Sequence, residues 1–155
     1  MNMVRQQYLF PELDILPKIK RGDCIDVTSI DIEFQGTNTV HKNANRLLSK
    51  LKSLDKNKYF LFKGENGGLP YVKNVITGTI LKVNTTRNQY PCVAVGIHSV
   101  ACHRLFAFAF IENPDTVSRV EVDHINEDKM DYRLKNLCWV SSSYNSKKSM
   151  RRYIK

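Results

Sequence analysis

The stretch VDHINEDKMDYRLKNLCWVSSSYN, residues 122–145, sets an acid beside a histidine and follows them with asparagines at 136 and 145. Its apolar positions predict two short strands, RVEVDHI and NLCWV, separated by the polar loop NEDKMD. A helix should follow from about Ser142, capped by the serine run. Neighbouring side chains of a regular strand point to opposite faces, so Asp123 and His124 reach one site only where the strand ends and the chain turns. The loop directly behind His124 offers that turn. Asn136 lies twelve residues beyond His124, at the start of the second strand, and Asn145 nine residues further, about one turn into the helix. A hairpin folded onto this helix brings the four polar side chains to one edge. Val122, Ile125, Leu134, Leu137, Trp139 and Val140 then pack inside.

Upstream, CHRLFAFAFIENPD (102–115) reads as a tightly packed apolar helix, with Leu105, Phe106, Ala109 and Phe110 on one face and Asn113-Pro114 as its end. Residues 63–105 alternate turn residues with β-formers and predict a small antiparallel sheet of three or four strands. TNTVHKNANRLLSKLKSLDKNK (37–58) offers Thr39 as a helix cap and Leu47, Leu48, Leu51 and Leu54 at helical spacing, facing the protein's own core. Before it, IDVTSIDIEF (25–34) alternates weakly, as a strand pair or one irregular strand. The fold class expected is α+β, with residues 1–58 as an N-terminal strand and helix segment and 59–155 as the unit that carries the site.

The chain has 155 residues, the size of one domain, with 42% hydrophobic and 10% aromatic residues, which excludes a disordered chain. No apolar run approaches the roughly 18 residues that a membrane span requires. The N-terminal stretch lacks a basic segment followed by an apolar one and a cleavage site, and the four cysteines form no CxxC pair. The expectation is an intracellular protein with reduced, mostly buried thiols. The net charge of +9 is concentrated: residues 41–58 carry six cations against one anion, and 129–155 eight against one. Such blocks suit a polyanion, through neutralised phosphates and released counterions. No protein partner is evident.

The run HRLFAFAFIENP…VDHINEDKMDYRLKNLCWVSSSYNSKKS resembles the HNH nucleases, in particular the small phage and intron homing endonucleases with a ββα-metal finger. The likeness spans about residues 75–150, with the finger at 120–150. It implies a DNA endonuclease encoded by a phage, virus or other mobile element. Position by position, it implies His124 as general base, Asp123 and Asn145 as metal ligands, and Asn136 as the residue that holds the loop of the base. Two positions depart from the pattern: Glu127 stands where glycine is common and Tyr132 where asparagine is common.

The chemistry agrees with the resemblance. Hydrolysing a phosphodiester requires a deprotonated water and a cation at the developing charge. Histidine, with an ordinary pKa of about 6.5, accepts that proton near neutrality. Carboxylate and amide oxygens are hard donors suited to Mg²⁺ or Mn²⁺. The expected reaction uses one metal ion and leaves 5′-phosphate ends. Lys147, Lys148, Arg151 and Arg152, beside Asn145, would grip the DNA backbone. His103 is expected to be a structural hydrogen-bonding group. Two rival readings are a non-catalytic DNA-binding or virion structural protein that keeps the fold, and a zinc module built from Cys102, His103, Cys138 and His124.

Overall fold

In the computed structural model, residues 16–86 and 88–147 are described. Strand β1 (Cys24–Asp26) leads into a 3₁₀ turn (Val27–Ser29) and then helix α1 (Thr39–Lys52). Strands β2 (Tyr59–Phe62), β3 (Tyr71–Asn74) and β4 (Thr79–Ile80) complete an antiparallel sheet of order β1-β2-β3-β4. A second antiparallel sheet holds β5 (Val83–Thr85), β6 (Pro91–Val95) and β7 (His98–Ala101). Helix α2 (Cys102–Phe110) follows at once, and the hairpin of β8 (Arg119–His124) and β9 (Leu137–Ser141) comes next. Residues 142–147 are helical and form the start of α3.

The α+β expectation holds, with local corrections. The single sheet expected over 63–105 is two sheets, because β3 and β4 pair with the upstream β2 rather than with β5. The 25–34 segment is a strand only as far as Asp26. There the Asp26 carboxylate accepts from Thr28 N and Oγ1 at 2.9 and 2.8 Å and turns the chain into the 3₁₀ helix. Beyond it, Val27, Ile30 and Phe34 are buried by turning, not by strand alternation. Thr39 is the first residue of α1 and not its cap; Asn38 holds the cap position without a side-chain bond. The buried face of α1 is His41, Ala44, Leu48 and Leu51. The expected division at residue 58 falls between α1 and β2, and β1 pairs across it.

One apolar cluster runs from Val27 and Phe34 through α1 to α2 and the finger. Helix α2 is short and, from Leu105 to Phe110, apolar and buried on every side, so this part forms the centre of the molecule. Phe34, Phe108 and Trp139 pack ring on ring with centroids 5.5–5.9 Å apart. Trp139 Nε1 also donates to Ile111 O at 3.1 Å, satisfying the one polar atom of a buried indole. This contact fixes β9 against the end of α2.

The N-terminal segment grips the chain just before the finger. Lys20 N donates to Phe110 O at 2.7 Å and Glu112 N to Lys18 O at 2.9 Å. The buried His41 ring meets Val117 O through Nε2 at 2.5 Å. The ring lies so close to Gly36 that a Cβ there would fall 2.5 Å from it, so only glycine fits. His41 thus ties α1 to the 115–118 loop.

Candidate active site

The β8–β9 register places Asp123 opposite Cys138 and His124 opposite Leu137, at the loop end of the hairpin. His124 is the last residue of β8, where the chain turns. Glu127 N closes that turn by donating to His124 O at 2.9 Å. Glu127 takes φ 65°, a left-handed conformation that costs an L-residue about 1–2 kcal/mol and glycine almost nothing. This backbone explains why glycine is common at the position, and Glu127 carries the strain of departing from it. Tyr132, the other departure, is buried and stacks on Phe106 at 5.9 Å, so it packs rather than hydrogen-bonds.

Four side chains knit the loop. Asn136 Oδ1 accepts from Asn126 N at 3.0 Å, and its Nδ2 donates to Asn126 Oδ1 at 2.9 Å and Asp131 O at 2.8 Å. Asp131 in turn accepts from Asn126 Nδ2 and pairs with Arg133 at 2.7 Å. The Arg133 hydrogen bond, helped by Asn126, holds the Asp131 carboxyl down to about 2. Asn136 is buried, at the end of a 3₁₀ turn (Leu134–Asn136) directly before β9.

On the other side, Ser141 Oγ accepts from Tyr144 N at 3.0 Å and starts α3 as its cap. Tyr144, 2% exposed, anchors the helix against Cys138 and Val140. The first turn of α3 therefore lies beside the end of β8. Asp123, His124 and Asn145 line one cleft of about 470 Å³, together with Tyr90, Glu121, Val122, Glu127, Lys129, Ser142 and Ser146. Asp123 and His124 are 8% and 5% exposed, so these polar groups are withdrawn from bulk water and face the cleft they line. Asn136 is not in that lining; it stands behind the loop. Lys147 is exposed on α3, whereas Lys148, Arg151 and Arg152 lie outside the described residues.

The donor set fits a hard cation. Asp123 and Asn145 supply two oxygen donors to an open cleft, and Mg²⁺ is usually held by one or two carboxylates plus waters and substrate phosphates. Among the described residues no group of three or more His, Cys, Asp or Glu side chains is arranged around a metal position. That counts against the zinc module of Cys102, His103, Cys138 and His124. The cysteines are all free, Cys102 and Cys138 buried and Cys24 exposed. Burial, with Cys92 nearby, pushes the Cys102 thiol up to about 12.

His103 corrects its expectation. Its Nδ1 finds no hydrogen-bond partner among the described residues. Instead its ring packs between Tyr90 and His124, with centroids 4.9 Å from each. Burial first, then His124 and Arg104, hold the His103 imidazole down to about 3, so it stays neutral beside the candidate base. Tyr90 also lies 6.0 Å from the His124 ring, and Lys129 Nζ stands 5.0 Å from the Tyr90 ring. Sequence reading missed Tyr90, Glu121 and Lys129. Glu121 had a signal, since a strand's period of two puts it on the face of Asp123; Tyr90 arrives from the loop before β6 and had none.

Residues 113–147 match the HNH endonuclease family. Among known proteins, an uncharacterised HNH endonuclease of Acanthamoeba polyphaga mimivirus is 38% identical over 79 residues, covering 48% of this chain and 20% of that protein. The chain thus spans about a fifth of this relative's length. A solved structure of the HNH homing endonuclease I-HmuI, described by its DNA binding and cleavage, matches with a TM-score of 0.51 and 24% identity. That match covers 63% of this chain and 54% of the other, and it shows the shared fold.

Proposed function

We propose that this protein is a divalent-metal-dependent DNA endonuclease of homing type, encoded by a virus or other mobile element. The observation that carries the reading is the convergence of Asp123, His124 and Asn145 on one cleft from a strand end and a helix start. The family match over the finger, the viral relative and the I-HmuI fold support it.

Asp123 and Asn145 would hold Mg²⁺ or Mn²⁺, which when bound supplies Lewis-acid stabilisation to the scissile phosphate and the departing 3′ oxygen. His124, in the buried end of the cleft, takes the proton of the attacking water. Asn136 fixes the loop that follows His124, and the neutral His103 and Tyr90 rings limit the motion of its imidazole. Lys147, with Lys148, Arg151 and Arg152, provides cations for the DNA backbone next to the cut. The products are a 5′-phosphate and a 3′-hydroxyl.

The rival is a DNA-binding or virion structural protein with the same finger and no cutting activity. Incubating the full chain with supercoiled plasmid in Mg²⁺ or Mn²⁺, against an EDTA control, separates the two. Nicked or linear product that EDTA abolishes, with 5′-phosphate ends, is the expected result. Binding without cleavage in either metal would give the rival the case.

A further inference from the structure

A second cleft of about 420 Å³ adjoins the first. Tyr90, Glu121, Val122 and Asn145 line both. Arg104 lines only the second, and Lys129 only the first. The shared wall is acidic at Glu121, and Asp123 and Glu127 add carboxylates in the first cleft alone. Each cleft holds one cation that the other lacks, Lys129 among the carboxylates of the first and Arg104 in the second. Both cations are exposed, and neither makes an ion pair among the described residues. Clustered carboxylates attract a metal ion and repel a bare phosphate, whereas the exposed cation in each cleft attracts a phosphate. A nucleic-acid strand, with regularly spaced phosphates and one of them bridged to a metal, has the matching pattern.

We propose that the two clefts are one track for the backbone of a single DNA strand, in which Arg104 and Lys129 hold the phosphates that flank the scissile one. Tyr90 is the wall between them: its ring carries Lys129 on one side and packs against His103 and His124. His103 and Arg104, adjacent in the first turn of α2, thereby link the second cleft to the candidate base. Arg104, whose planar guanidinium can bridge two phosphate oxygens, gives this end of the track the more directional contact. The inference rests on the nuclease reading for the identity of the strand and goes beyond it in naming the two clamps.

The test measures binding of a fluorescein-labelled duplex in EDTA at graded KCl, for the full-length wild type, Arg104→Gln, Lys129→Gln and their double variant. Lys18→Gln serves as control, since Lys18 is exposed and lines neither cleft. Each of the two clamp variants should bind several-fold more weakly, and its log-affinity against log-salt slope should flatten by about one, the double variant by about two. Arg104→Lys should keep the wild-type slope while losing some affinity, which separates loss of a phosphate contact from loss of fold. Slopes equal to wild type in both clamp variants would overturn the track. Plasmid cleavage by the wild type is followed in parallel. Flattened slopes without cleavage sustain the track and sink the nuclease reading, and cleavage with unchanged slopes does the reverse.

Discussion

The finger and the four-stranded sheet treat polarity in opposite ways. Of the four buried polar side chains among the described residues, Asp123, His124 and Asn136 belong to the finger, and the fourth is His41. The sheet buries Leu61 and Val72 on its inner side and leaves apolar Val75, Ile76 and Ile80 to solvent around the β3–β4 hairpin. Burying a polar group costs free energy unless hydrogen bonds replace water, so a region that does so repeatedly must repair each one or use it. In the finger, Asn136 is repaired by three hydrogen bonds, while Asp123 and His124 face a cleft. The comparison teaches that stability and chemistry are largely assigned to different parts of the chain: apolar packing in α1, α2 and the sheets, polar geometry in the hairpin.

Four substitutions or conditions would break or sharpen this division. The largest stability effect belongs to the packing side: Leu51→Ala, at a fully buried position, should lose about 2–5 kcal/mol in urea unfolding while the remaining folded protein cuts DNA normally. Equal damage to the cleavage rate per folded molecule would show that the regions are not separate. Next, Asn136→Ala leaves Asn126 N and Asp131 O without their buried partner, so about 1–3 kcal/mol should go. Here cleavage should fall further than unfolding explains, because the loop behind His124 loosens; a purely proportional loss would reduce Asn136 to a structural role.

A gain of roughly 1 kcal/mol is expected for Glu127→Gly, by relief of the left-handed backbone, offset in part by the freer unfolded chain. A melting temperature that drops instead would mean that the Glu127 side chain outweighs its strain. The smallest effect is a pH response. The Asp131 carboxyl is depressed in the folded state, so its contribution is complete above its unfolded pKa and fades as pH falls from about 3.8 towards about 2. Because the Arg133 partner is 46% exposed, water screens the pair and the acid step is modest. Melting curves of Asp131→Asn should lose that step, and an unchanged acid profile would place it elsewhere.

Much of the finger was legible because its signals are local. The turn after His124, the serine cap before Tyr144 and the continuous apolar run of β9 are each set within a few residues. The spacing of Asp123, His124, Asn136 and Asn145 survives folding because a hairpin and a capped helix leave little freedom between them. What escaped depends on distant partners. Strand β2, YFLF, hides behind a lysine-rich helix end, and without it the pattern of β3 and β4 groups with that of β5 to β7. Tyr90, Arg104 and Lys129 come to the clefts from a loop, a helix start and the finger loop, and no sequence period connects them. His103 is similar: a histidine on an apolar helix suggests a hydrogen bond, but two aromatic neighbours from elsewhere fill its surroundings.

The central claim, that His124 activates water within a cleft shared with Asp123 and Asn145, is tested most directly by single-turnover cleavage of a bound DNA duplex. Wild type and His124→Ala are compared in Mg²⁺ or Mn²⁺ at matched occupancy. Loss of about 10²–10⁴-fold in rate with binding retained is the expected result for removal of a general base. Cleavage by His124→Ala within a few-fold of wild type would contradict the account.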